Sequence, residues 1–189
     1  DATHVQHPGA LDDRYAAADA VPALGATPRA DGTRIALWAP TARAVALCVY
    51  DGPHSPATQA LPLVRDDATG AWSATLPGDR RGAYYTYLVD VFVPGVGVVR
   101  NRTTDPYAVS LSADSKRTLV ADLDDPALKP DGWDATPRPA PLAAQVDMGI
   151  YELHVRDFSR DDASVPVQHR GKYLAFTQRE SNGMRHLRA

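Results

Sequence analysis

Cysteine occurs once in the 189 residues, at Cys48, so the chain cannot close an internal disulfide. Cys48 lies inside an alternating apolar run (AVALCVY, residues 44–50), where a thiol acts as a small buried hydrophobe rather than a nucleophile. No apolar stretch approaches the roughly 20 residues that span a bilayer. Residues 1–9 also lack the apolar centre of a signal peptide. The 20 lysines and arginines are scattered among 23 aspartates and glutamates, for a net charge of −3, and no basic block marks a nucleic-acid or anionic-membrane partner. There is no GxGxxG, phosphate-binding loop, HExxH, zinc cysteine pair or serine elbow, which removes the common nucleotide, metalloprotease and serine-hydrolase signatures. A start at Asp1 without methionine reads as a processed or trimmed chain. Localisation therefore stays unknown, since a disulfide-free fold suits the cytoplasm and tolerates export.

What is present is a soluble globular composition, 44% hydrophobic and 23% charged. Residues 1–22, rich in Ala and Asp, read as a loosely attached lead-in with at most a helical turn over residues 12–19. Period-2 runs bounded by Gly, Pro and Asp then predict strands at residues 33–39, 44–50, 61–64, 71–76, 83–93, 96–102 and 118–121. Val45, Leu47 and Val49 share one face of the second, and Tyr85, Tyr87, Val89 and Val91 one face of the longest. Short strands without intervening helical periodicity define a mainly β fold. An immunoglobulin-like antiparallel sandwich is expected over residues 23–123. Pro126, Pro130, Pro137, Pro139 and Pro141 make residues 124–144 a semi-rigid linker, in which Trp133 is expected to dock on a neighbouring surface. Residues 145–189 hold a strand pattern over Ile150–Ser159 (IYELHVRDFS) and the first turns of an amphipathic helix over residues 182–189.

The candidate chemistry is sparse. Glu152 and Asp157 are carboxylates near the end of the 150–159 run, and five residues apart they suit orienting His154, Arg156 or a loop amide. His154, His169 and His186 lack ligand spacing. Asp122, Asp124 and Asp125 lack the alternating oxygens and closing glutamate of a calcium loop. Trp72 leads a strand and is expected in the core; Trp38, before Pro40, is expected in a core or inter-domain role. No catalytic or metal residue is assigned, and the carbohydrate-binding residues stay unknown.

YELHVRDFS, SVPVQHRGKYLAFT (164–177) and SNGMRHLRA (181–189) resemble the start of the catalytic barrel of pullulanases, starch-debranching members of the α-amylase glycoside hydrolase superfamily. LGAT (24–27), LWAPTARAV (37–45), WSATLPG (72–78), GAYYTYLVD (82–90), TTDPYAVSLSADS (103–115) and VADLDDPALKPDGW (120–133) resemble their attached early-set carbohydrate-binding module. The resemblance implies a parent enzyme that hydrolyses α-1,6-glucosidic branch linkages of pullulan, starch or glycogen with retention. Its partners are the α-glucan and the rest of the barrel. Residues 145–189 become the first strand and truncated first helix of a (β/α)8 barrel. The family's three catalytic carboxylates belong to later strands, and no motif here matches them, so this chain alone is expected to be inactive. The resemblance calls for no cofactor in this stretch and leaves calcium open for the parent. Glycogen-binding relatives place a tryptophan in the loop after the second strand and a lysine on the long strand. Here the loop 51–58 (DGPHSPAT) has no aromatic residue, and Thr86 stands at the lysine position. A stand-alone α-glucan-binding module and a purely structural sandwich supporting a barrel are the competing readings.

Overall fold

A computed structural model describes residues 6–189, so part of the lead-in, residues 1–5, lies outside the described residues. The chain divides into two compact units, Asp1–Trp133 and Asp134–Ala189.

The described residues of the first unit carry nine strands: β1 Gly25–Pro28, β2 Gly32–Trp38, β3 Ala42–Tyr50, β4 Ala57–Pro62, β5 Val64–Arg65, β6 Ala71–Pro77, β7 Tyr84–Val93, β8 Gly97–Thr103 and β9 Thr118–Leu119. They form two antiparallel sheets, one ordered β1-β2-β6-β5 and the other β4-β3-β7-β8, with β9 pairing β7. The register sets Leu37 opposite Trp72 and Leu47 opposite Tyr87, so the period-2 runs place their apolar faces in one core. Ile35, Leu37, Val45, Leu47, Val49, Trp72, Leu76, Tyr85, Tyr87 and Val120 are all buried there. The indole N–H of the buried Trp72 donates to the Ala39 carbonyl at 2.9 Å, as a tryptophan in a core requires.

Two features depart from the expected strand list. β1 is short and flanked by Gly and Pro, and it exists because its backbone pairs with β2 rather than through any pattern of its own. The run at 61–64 is not one strand. β4 ends at Pro62 in one sheet and β5 starts at Val64 in the other, while Leu63 is buried at the crossing and its N–H donates to Val45 at 2.9 Å. The edge strands limit outside pairing through Pro28, Pro62, the two-residue β5 and the charged Arg100 and Arg102 of β8.

The described part of the lead-in is pinned at Tyr15 rather than loose. Helix α1, Pro8–Arg14, starts on a proline, which costs no intrahelical hydrogen bond there. Tyr15 behind it is buried, and its hydroxyl accepts from Arg65 Nη2 at 2.8 Å. Arg65 also donates to the carbonyls of Pro40 and Ala42 and lies over the Trp72 ring. Gly70 (φ +69°) lets Tyr15 close on this bracket, because a Cβ there would come within 2.8 Å of Pro40 and 3.0 Å of Tyr15.

The second unit has its own small core. Helix α2, Val155–Ser159, and helix α3, Asn182–Arg188, flank loops and single 3₁₀ turns. Phe158 stacks on Phe176 at 5.3 Å between centroids, and Val165 and Ala175 are buried. Gly183 sits against that stack, where a Cβ would meet Phe158 at 2.7 Å. Asp162 accepts from the Ser164 amide and hydroxyl, Asn182 Nδ2 and the Gly183 amide, which hold its carboxyl below the usual range. The expected helix at 182–189 forms, capped by Ser181 Oγ. The expected strand at 150–159 does not. The backbone is extended at His154, but no described residue pairs with residues 150–154, and the chain turns helical at Val155. Side-chain alternation makes a strand only where a neighbour shares the backbone hydrogen bonds. Trp133 is likewise not docked, being 62% exposed.

Leu47, with no exposed surface and neighbours from both sheets, is expected to cost about 2–5 kcal/mol on Leu47→Ala. Val98→Ala on the exposed edge should stay within about 0.5 kcal/mol. Urea unfolding monitored by tryptophan fluorescence checks both, and equal losses would contradict the assigned core.

Candidate functional site

The resemblance directs attention to the outer face of the β4-β3-β7-β8 sheet, around Thr86 and the loop after β3. Val49 and Tyr85 point into the core, so their neighbours Tyr50 and Thr86 take the opposite face. That face is closed. Thr86 is only 1% exposed, and its hydroxyl lies 3.1 Å from the Tyr50 hydroxyl. Arg102 of β8 donates from Nη1 to Thr86 Oγ1 at 3.0 Å and also to the Tyr50 hydroxyl. Arg117 sets its guanidinium 3.7 Å above the Tyr50 ring and donates to the Gly52 carbonyl at 2.6 Å. The aromatic face a pyranose would stack on is therefore covered by a cation. The loop 51–58 folds on itself, with Gly52 and Ser55 exchanging hydrogen bonds. Cys48 is buried as expected, whereas burial of Tyr50 on this outer side is a feature that alternation alone did not predict, because the residues that cover it lie far along the chain.

At the end of the same strands, a second cluster is built on Asp105. Its carboxylate is buried and accepts from Tyr85 Oη at 2.6 Å, Tyr87 Oη at 2.9 Å and the Tyr107 amide at 2.8 Å. Its own amide donates to Thr118 Oγ1 at 2.9 Å. Burial, and then the Asp105 charge, push the Tyr85 phenol far above its ordinary range; burial, then Tyr85 and Asp105, do the same to Tyr87. Both phenols stay protonated donors at any physiological pH.

The other sequence candidates are dispersed. Glu152 is exposed, and Asp157 lies 3.4 Å from His154, the orienting contact expected of it. His169 meets Gln178, and His186 meets the Tyr151 ring. Among the described residues no group of three His, Cys, Asp or Glu could hold a metal ion. Asp122 pairs with Arg81 at 3.4 Å, Asp124 donates its amide to Asp122, and Asp125 caps the turn at Ala127. Trp38 is half-buried and donates its indole N–H to the Thr69 carbonyl at 2.9 Å. Among the described residues no helix is long and apolar enough to cross a membrane.

In comparison with known proteins, residues 23–108 match the family model of carbohydrate-binding module 48, the isoamylase N-terminal domain. Beyond that module, the chain matches pullulanases along nearly its whole length. It is 43% identical to the pullulanase of Klebsiella pneumoniae over 99% of the chain, and 40% identical to chloroplastic pullulanase 1 of Arabidopsis thaliana over 98%. The ligand-free crystal structure of PulA from Klebsiella pneumoniae superposes on 94% of the chain with a TM-score of 0.82. The chain spans less than a fifth of these relatives, 17% and 19% of the curated sequences and 17% of the crystallised chain.

The buried phenols give a pH signature. An unfolded tyrosine ionises near pH 10, while folded Tyr85 and Tyr87 do not, so above that pH the unfolded state binds fewer protons and is favoured. Stability should be unaffected by these groups below about pH 10 and fall by about 1.4 kcal/mol per pH unit per tyrosine above it. Alkaline unfolding followed by circular dichroism should show a shallower decline in Tyr85→Phe; an unchanged slope would contradict the account. Asp105→Ala, which strands three donors, should cost on the order of 3 kcal/mol at pH 7.

Proposed function

We propose that this chain is the sandwich and following segment of an enzyme that hydrolyses α-1,6-glucosidic branch linkages in pullulan, starch or glycogen with retention. The catalytic carboxylates lie on barrel strands outside these residues. The observation that carries the reading is the extent of the pullulanase match: it runs through both units, well past the module that ends at residue 108. The surface of the second unit supports it. Val146, Ile150, Val167 and Tyr173 are each 74% exposed or more, apolar side chains that suit burial against further protein. Residues 150–154, alternating in sequence and unpaired among the described residues, pair in the whole enzyme with further strands.

Within that enzyme the sandwich acts first as a support. Tyr50, Thr86, Arg102 and Arg117 satisfy one another across the face where a glucan would otherwise stack, so sugar does not enter there without breaking their contacts. A module whose main work is tight polysaccharide binding would leave that aromatic ring open.

Two enzymatic outcomes test the reading. The purified 189-residue chain should release no maltotriose from pullulan, whereas the longer enzyme encoded with it should do so and should leave linear amylose untouched. Release by the 189-residue chain would place catalysis within it, and a longer enzyme without action on pullulan would overturn the debranching assignment.

A further inference from the structure

The Asp105 cluster has a second consequence at the surface. Asp105 Oδ1 holds the Tyr107 amide, and Gly25 (φ +88°) packs against the Tyr107 backbone and Cβ, where an added Cβ would stand 3.1 Å from the Tyr107 carbonyl oxygen. Tyr107 is thereby fixed with 38% of its surface exposed at a groove of about 390 Å3, lined by Asp12, Tyr15, Asp19, Leu24, Trp38 and Tyr107 with alanines between. That volume lies in the ~300–1,000 Å3 range of small-molecule sites and has room for roughly one or two sugar rings.

The lining has a distinct chemistry. The Trp38 indole N–H is already committed to Thr69, which leaves its ring for apolar contact. Two carboxylates, Asp12 and Asp19, offer acceptors, and the lining contains no Lys, Arg or His. Tyr15 is buried with Arg14 over its ring, so the aromatic surface left is that of Trp38 and Tyr107. Beside carboxylate acceptors these rings suit a neutral polyhydroxylated ligand, since rings meet the C–H face of a pyranose and carboxylates accept from its hydroxyls. The walls are held before any ligand arrives, by the Tyr15–Arg65 bracket on one side and the Asp105 carboxylate on the other, so little ordering is needed on binding.

We propose that this groove, between the lead-in and the sandwich, is a binding subsite for an α-1,4-linked glucan chain, separate from the closed outer face around Thr86. The proposal rests on the reading of the chain as part of an α-glucan debranching enzyme, which selects α-glucan among neutral sugars.

Titration of the ¹⁵N-labelled 189-residue chain with maltohexaose tests it. Shift changes are expected at the Trp38 indole N–H and at Tyr107, with a Kd in the ~millimolar range. Tyr107→Ala should weaken binding at least about fivefold, and Asp12→Asn with Asp19→Asn about two- to fivefold, while Thr86→Ala leaves it unchanged. If Tyr107→Ala lowers the melting temperature, the asparagine pair decides. The proposal fails if the shifts centre on Tyr50 and Arg102, if cellohexaose matches maltohexaose, if choline binds more tightly than either, or if nothing shifts at about 20 mM sugar. Groove binding with no pullulan hydrolysis by the longer enzyme would remove the debranching reading and keep the site; hydrolysis without groove binding would do the reverse.

Discussion

One buried carboxylate holds the working end of the sandwich together. Asp105 has no basic partner in its cluster; it is satisfied by two phenols and an amide. A buried carboxylate is tolerated only when its lone pairs are taken by good donors, and the low dielectric around it makes each of those bonds stronger than it would be in water. Tyr85 and Tyr87 can both reach it because they stand two residues apart on one face of β7, their rings edge-on at 5.6 Å. The same residue takes Thr118 as an acceptor for its amide, which ties the segment after β8 to β9. The two core phenols and the position of Tyr107 therefore depend on one side chain, and the tie to Thr118 on the same residue's amide.

The outer face of the same sheet shows the opposite use of polar groups. There, Tyr50 and Thr86 are sealed by two arginines, and the contacts are spent within the protein. Tyr50 is a structural residue here, since its ring and hydroxyl are both occupied. The sandwich matches a carbohydrate-binding module over residues 23–108, yet the face around Thr86 is closed, while the groove at Trp38 and Tyr107 keeps aromatic surface exposed.

Much of the sandwich was legible in the sequence. β2, β3, β6 and β7 begin and end within a residue or two of their alternating runs, since each has one apolar face to bury and a breaker at its end. β1 was not legible, because four residues between Gly and Pro carry no period and form only on pairing with β2. Nor was the sheet change at Leu63, since a continuous apolar run looks the same whether it stays in one sheet or crosses. Asp105, followed by Pro106, carried no sign in the sequence of a buried role. The signal that could have found it was a carboxylate placed soon after a long strand with two tyrosines on one face. The alternation at 150–159 misled for the converse reason: it specifies which side chains face together but supplies no partner strand. The closed outer face escaped notice because Arg102 and Arg117 reach Tyr50 from 52 and 67 positions away.

The chain joins a sandwich whose central strands are paired on both sides to a following segment in which residues 150–154 pair with no described residue. Native-state hydrogen exchange on the 189-residue chain measures this most directly. The amides of β7, paired on both sides within the sheet, should exchange at or near the rate set by global unfolding, and those of residues 150–154 should exchange orders of magnitude faster. Equal protection of the two stretches in a monomer would contradict the account.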